Sequence, residues 1–210
     1  MPTRFCLVRH GETDWNAEQR LQGQTDIPLN EIGKLQAKAV RPGLTPHRFA
    51  AAYSSDLSRA WETAQIATQN LPLSVAPAPS FRERHYGAYQ GLTHAEAQRD
   101  HPEIFLQHRM RRLDYDYRSG ESLSNFAARV VDGLNALAAR HRGQEVLIFT
   151  HGGVLDIVYR IATGRELCAP RDFSLPNAAL NWVEHRDGQW RIVDWADRRH
   201  LERVLDEVME

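Results

Sequence analysis

The 210-residue sequence predicts an α/β fold: a three-layer α/β/α sandwich on a mostly parallel central sheet, with a short helical lid. Three observations carry this. Apolar strand-like runs alternate with amphipathic helical stretches along most of the chain, and alternation with crossovers builds a parallel sheet covered on both faces. The strongest run, Glu145-Val146-Leu147-Ile148-Phe149-Thr150, is nearly unbroken in apolar residues, as in a strand buried on both sides. The stretch 85–120 breaks the alternation. It is polar, aromatic and charged, and it reads as a helical excursion over one sheet edge.

In chain order, Arg4-Phe5-Cys6-Leu7-Val8 is a buried strand ending in Arg9-His10-Gly11. Ala50 to Ser54 is a second strand. Leu57, Ala60, Ala64 and Ala67 recur at helical spacing behind Ser55-Asp56, the expected N-cap. Leu73 to Val75 is a third strand, bounded by Pro72 and Pro77. Leu123, Phe126, Ala127, Val130, Val131, Leu134, Leu137 and Ala138 mark a long amphipathic helix, whose start at Gly120-Glu121-Ser122 suits capping and the helix dipole. Val154 to Ile161 is a buried helix ending near Gly164. Leu180 to Glu184 and Trp190 to Val193 flank Arg186-Asp187-Gly188-Gln189, an Asp-Gly hairpin turn. Residues 198–209 form a terminal amphipathic helix with Leu201, Val204, Leu205 and Val208 inside. The whole, 1–210, reads as a single domain, with the lid at about 85–120.

Composition narrows the function. Hydrophobic residues at 42% and charged residues at 25% exclude global disorder. No apolar run reaches the length of a membrane span, and no apolar signal core opens the chain. Lys and Arg total 26 against 27 Asp and Glu, so no global charge grips nucleic acid, although a local basic pocket can exist. Two cysteines, Cys6 and Cys168, are too few for a disulfide framework or a Cys-rich zinc site. These features predict a soluble cytoplasmic protein that acts on a small molecule, with neither nucleic acid nor membrane as partner; a homodimer is left open.

Four chemically loaded segments fall at strand ends, where ligands bind in open α/β sheets. Leu7-Val8-Arg9-His10-Gly11-Glu12-Thr13 follows the first strand. Ser54-Ser55-Asp56-Leu57-Ser58-Arg59-Ala60 turns a strand into a helix, with Arg59 in the first turn, where amides and dipole favour an anion. Arg82-Glu83-Arg84-His85-Tyr86-Gly87 leads into the lid. Thr150-His151-Gly152-Gly153 follows the most buried strand. Singly, each has a plain reading: His10 as a satisfied histidine, Arg59 as a solvated arginine, Glu83 as part of a surface ion pair. His151, followed by two glycines and a helix, fits core packing poorly.

Together, two arginines, two histidines and one glutamate suit phosphoryl transfer without a metal. Arginines neutralise the phosphate and its transition state. A histidine kept neutral by them can attack phosphorus. A carboxyl group close to a phosphate dianion can serve as general acid.

Residues 7–16, Leu-Val-Arg-His-Gly-Glu-Thr-Asp-Trp-Asn, resemble the signature of the histidine phosphatase superfamily, the phosphoglycerate-mutase-like group. Arg20-Leu21-Gln22-Gly23 and Asp26 to Gly33 are similar to its next stretch. So are the Arg59 segment with Thr63-Ala64, then Arg82-Glu83 with Gly87 and Gln90-Gly91, Gly120-Glu121-Ser122, and Thr150 to Gly153. The resemblance covers most of 5–155. It implies a phosphoglycerate-mutase-like fold with no cofactor and no metal. His10 would be the phosphorylated nucleophile, with Arg9, Arg59 and His151 holding the phosphate. Glu83 would give a proton to the leaving oxygen and later activate water. Asn16, Gln22 and Gly23 would lie at the pocket edge.

The family divides into mutases, which return the phosphoryl group to substrate, and phosphatases, which pass it to water. Glu83 to Gly87, Gln90-Gly91-Leu92, Ala95-Glu96 and the pair Arg111-Arg112 are similar to the cofactor-dependent phosphoglycerate mutase, where such a pair grips a substrate carboxylate. Three departures favour a phosphatase: His94 stands in place of lysine, Gly153 in place of asparagine, and only Leu113 to Ser119 separates Arg112 from Gly120, too short for the proline-rich mutase lid. A shorter lid admits water. The expectation is a phosphomonoester phosphatase for a small phosphorylated metabolite, with the mutase as alternative and an inactive phosphate-binding module behind it. Arg109, Arg111, Arg112 and Arg118 are expected to meet a second anionic group, and Tyr86, Tyr89, Tyr115 and Tyr117 to stack on or bond the metabolite; the competing reading is an exposed ion-pair network with Asp114 and Asp116. His101, His108 and His141 are expected to face solvent.

Overall fold

Phe5 to Val8 are apolar on both sides of the strand, so both must be covered. Accordingly β1 (Thr3–Arg9) lies deep in the sheet, between parallel β4 (Glu145–Thr150) and antiparallel β5 (Leu180–Arg186). Beyond β4 come β2 (Phe49–Ser54) and the edge strand β3 (Val75–Pro77), both parallel to it; β6 (Gln189–Asp197) pairs antiparallel with β5. The order β3-β2-β4-β1-β5-β6 is described for a computed structural model covering residues 1–202. Val204, Leu205 and Val208 of the expected terminal helix lie outside the described residues; Leu201 is buried in a 3-10 turn, Arg199–Leu201.

Strand alternation sorts the two faces. Phe5, Leu7, Val146 and Ile148 pack against α6 (Leu123–Arg140) and α7 (Gly152–Thr163). Cys6, Val8, Leu147 and Phe149 face the other way, toward α2 (Glu31–Leu44) and α3 (Ser58–Thr68). The expected three-layer sandwich is the observed one. Each buried Leu, Ile, Val or Phe contributes about 1.5–3 kcal/mol, so these two clusters dominate the stabilisation.

Several local expectations hold, and several need correction. Ser122 caps α6 by accepting from Asn125 N at 3.1 Å. The hairpin turns on Asp187 and Gly188, both left-handed at φ 51° and 79°, the primed turn that matches strand twist. The third strand starts at Val75 rather than Leu73; Pro77 has no N–H to donate, which an edge strand tolerates. The N-cap of α3 is Leu57, which offers no side-chain bond, instead of Ser55-Asp56. Asp26 Oδ1 caps in its place, accepting from Ser58 N at 2.7 Å, while Asp56 pairs with Arg82. Helix α2 has no counterpart among the expected elements, because Gly33, Pro42 and Gly43 blur its periodicity. Its start is capped by Asn30.

The lid carries two short helices, α4 (His94–Asp100) and α5 (Pro102–Arg109), with a small core of Tyr89, Ala97, Ile104 and Tyr117. Two of the four tyrosines expected to meet the metabolite, Tyr89 and Tyr117, are built into this core, although Tyr117 also lines the cavity beside Glu83. Tyr115 packs beside them, edge-on to Tyr117.

Candidate active site

Parallel neighbours end at one level. Arg9 is in register with Thr150, and Ser54 with Phe149, so the chain leaving β1, β2 and β4 enters one space. His10 N donates to Thr150 O at 2.9 Å and Ser55 N to Phe149 O at 2.9 Å. The His10 side chain is 3% exposed, with its ring 5.2 Å from that of His151. Its Nδ1 lies 2.7 Å from Gly11 O. A carbonyl only accepts, so Nδ1 carries the proton and Nε2 keeps a lone pair. Burial first, then the charges of Arg59 and Arg9, push the His10 pKa well below 6.5, and the ring is neutral at physiological pH.

Arg59 is 1% exposed and donates to Gly23 O at 2.6 Å and Thr25 O at 3.0 Å; Arg9 donates to Leu175 O. Burial lowers both guanidinium pKa values to about 10, an effect Glu83 partly offsets, so both remain charged. His151 Nε2 lies 2.7 Å from Ser55 Oγ. Ser55 Oγ also accepts from Leu57 N, and when its own hydrogen goes to His151 Nε2 the ring proton sits on Nδ1. Burial, followed by Arg59, keeps His151 neutral too. Arg9 Nε, Arg59 Nε and His151 Nδ1 are buried and make no hydrogen bond among the described residues. Leaving a buried donor unpaired costs about 1–3 kcal/mol, and an oxyanion among them would remove that cost.

Glu83 completes the group. Its Oε2 accepts from Gly153 N at 2.8 Å and its Oε1 from Arg84 N at 2.7 Å. Gly153 is required there, because a Cβ would collide with Glu83 Oε1. Glu83 thus reaches α7 at its first turn and touches the charge balance of both Arg9 and Arg59.

Of the rim residues, Asn16 uses Oδ1 to accept from Thr13 N and Asn177 Nδ2, which leaves its Nδ2 as a donor. Gln22 is buried with Oε1 unpaired, and Gly23 O holds Arg59. A cavity of about 1040 Å³ opens beside Arg9, Glu83 and Gly153 and is walled by the lid. Tyr86, Arg109 and Arg111 border it. Arg112 does not: it is exposed and pairs with Asp114, and Arg118 pairs with Glu103 away from the cavity. The expected side-by-side arginine pair fails because Arg111 sits at φ 49°, where the chain turns and sends consecutive side chains apart. His108 is also corrected. It borders the cavity, bonded through Nδ1 to Tyr117 OH at 2.8 Å, and burial holds its pKa down to about 3. His141 bonds Tyr53 OH at 2.9 Å. Among the described residues no three His, Cys, Asp or Glu side chains are placed to hold a metal.

Three supports escape sequence reasoning. Asn177 Nδ2 donates to His10 O at 2.9 Å from far along the chain. Arg129 of α6 donates to Ser80 O and Arg82 O while pairing with Glu121, which braces the segment carrying Glu83. Thr63 Oγ1 accepts from Gly11 N at 3.0 Å. Only Thr63 belongs to one of the sequence motifs; Asn177 and Arg129 carry no local signal.

Known proteins resemble this chain in sequence and fold. A metal-independent phosphoserine phosphatase of Arabidopsis thaliana is 40% identical over 96% of this chain and 84% of its own length. The phosphoglycerate mutase-like protein 4 of the same plant is 38% identical over 95% of this chain and 87% of its own. A mycobacterial glucosyl-3-phosphoglycerate phosphatase superposes with a TM-score of 0.83, at 29% identity, over 94% of this chain and all of that one. The family model for the histidine phosphatase superfamily (branch 1) matches residues 5–198, and the chain belongs to that superfamily.

Proposed function

We propose that the protein hydrolyses small phosphomonoesters in two steps through a phosphohistidine on His10. The observation that carries this is the neutral His10, its proton committed to Gly11 O and its Nε2 lone pair beside Arg9 and Arg59. The arginines and His151 take the phosphoryl oxygens. In this cycle Glu83 enters the first step carrying a proton: Nε2 attacks phosphorus, the ester P–O bond breaks, and Glu83 gives that proton to the departing alkoxide. A water then attacks the phosphohistidine, Glu83 takes its proton, and the P–N bond returns its electrons to Nε2. The sum is ester plus water giving alcohol plus phosphate.

The short link from Arg112 to Gly120 and the open cavity beside Glu83 favour water over a returning alcohol. The names of the relatives support a phosphorylated three-carbon acid or its derivative as substrate. Two unpaired cysteines fit a reducing cytoplasm. In the decisive experiment, His10→Ala abolishes turnover of nitrophenyl phosphate and forms no acid-labile phosphoenzyme; retained turnover defeats the assignment. With 3-phosphoglycerate, phosphate release should outrun formation of 2-phosphoglycerate, and a tenfold excess of isomer exchange would make the enzyme a mutase instead.

A further inference from the structure

Asp156 lies on α7, three residues beyond the Gly153 that holds Glu83, and borders the same cavity. It is 4% exposed. Its Oδ2 accepts from Arg160 Nε at 3.0 Å and from Arg111 Nη2 at 2.6 Å. Arg160 is fully buried and donates onward to Glu166 O at 2.5 Å. Arg111 reaches in from the lid, with Nε on Leu167 O at 2.8 Å. One edge of its guanidinium is thus fixed by α7 and the chain beyond it. Its Nη1 makes no hydrogen bond among the described residues, and the residue borders the cavity.

One carboxylate between two guanidiniums leaves a positive charge uncancelled in a largely buried place, which is costly unless an anion answers it. Arg109 and Arg171 border the same cavity and have no carboxylate partner among the described residues, so the wall as a whole is short of negative charge. We propose that Asp156 is a positioning residue for substrate selection: it holds Arg111 so that the free edge of the guanidinium takes a second anionic group, a carboxylate or phosphate, on the substrate. The inference rests on the phosphatase reading. Arg160 serves to keep Asp156 aimed, and Arg112 takes no part.

The test is a selectivity ratio, kcat/KM for 3-phosphoglycerate divided by that for glycerol 3-phosphate, a three-carbon ester without the second anion. Arg111→Ala, which leaves the Asp156–Arg160 pair intact, should lower this ratio about 10- to 100-fold, the worth of a charge-assisted hydrogen bond, with the loss in KM. Asp156→Asn should lower it in the same sense and add nothing in the Arg111→Ala background, since both act through one contact. A variant that merely loosens the fold moves both substrates together and leaves the ratio alone. Wild-type enzyme that hydrolyses nitrophenyl phosphate yet shows no preference for 3-phosphoglycerate overturns this inference alone, as does a ratio unchanged in Arg111→Ala or effects that add in the double variant. Wild-type enzyme inert toward nitrophenyl phosphate overturns the phosphatase reading itself, and the inference with it.

Discussion

A histidine attacks phosphorus only while unprotonated, correctly tautomeric and aimed, and at His10 the first two conditions are met by groups that differ in origin. The Gly11 carbonyl, next in sequence, selects the tautomer; Arg59, from another strand end, helps keep the ring neutral. Arg59 also has a geometric duty, since its two terminal nitrogens span the Gly23 and Thr25 carbonyls. Arg59→Ala should therefore cost about 2.7–4 kcal/mol in the transition state, or two to three decades in kcat/KM on nitrophenyl phosphate. Arg59→Lys keeps a charge but not the fork, and should recover only part of that. A chelator should leave the wild-type rate unchanged; loss restored by a divalent cation would refute the metal-free chemistry. Glu83→Gln separates leaving groups: alkyl phosphates should slow at least tenfold more than nitrophenyl phosphate, whose phenolate needs no proton. Equal losses would remove Glu83 from the acid role.

At the scale of elements, the start of α7 does two things at once. His151 leaves β4 beside His10 and Ser55, at the proposed phosphate site, and Gly153 N–H fixes Glu83. Adding a methyl group at 153 strikes the carboxylate rather than the backbone, so Gly153→Ala should keep the fold and misplace the acid. The expected outcome is a drop of roughly two decades on alkyl phosphates, the worth of a positioned general acid, with circular dichroism and Tm close to wild type. A large fall in Tm without that leaving-group bias would contradict this role for the Gly153–Glu83 contact. The lid behaves as an element of its own, with a separate core around Tyr89 and Tyr117, and ion pairs such as Arg111–Asp156 and Arg20–Glu96 tether it to the body.

Over the whole molecule, neutral buried histidines set the pH range of stability. His10, His151 and His108 all have native pKa values below the ordinary 6.5, through burial first. In the unfolded chain they protonate as pH falls through about 6.5, while the native state resists. The unfolded state then binds more protons, so stability is complete above about pH 7 and declines below it; for His108 the decline runs on to about pH 3. Each such group contributes up to about 1.4 kcal/mol per pH unit, and three together up to about 4. At about 2–4 °C per kcal/mol for a chain of this size, Tm should fall by roughly 10 °C between pH 6 and pH 5. Thermal scans at pH 7.5, 6 and 5 check this, and a Tm constant across them contradicts it.

The residues proposed to hold phosphate drew attention in the sequence because they lie at or shortly after strand ends. Parallel strands that end together deliver their C-terminal loops to one place: His10 after β1, Ser55 and Arg59 after β2, His151 after β4. Local chemistry likewise fixed the Asp187-Gly188 turn and the Ser122 cap. The fold class came from apolar runs too long to leave one face wet. Contact between segments with no shared local pattern lay beyond the sequence. Asn177 steadies the His10 loop from far along the chain, Arg129 braces the acid-bearing turn, and Asp156 draws in Arg111 but not Arg112. Such side chains are chosen by the space left once layers pack, and that space is a property of the assembled fold. The tertiary structure therefore decided which lid arginines meet the cavity, which tyrosines are core, and that His108 turns inward.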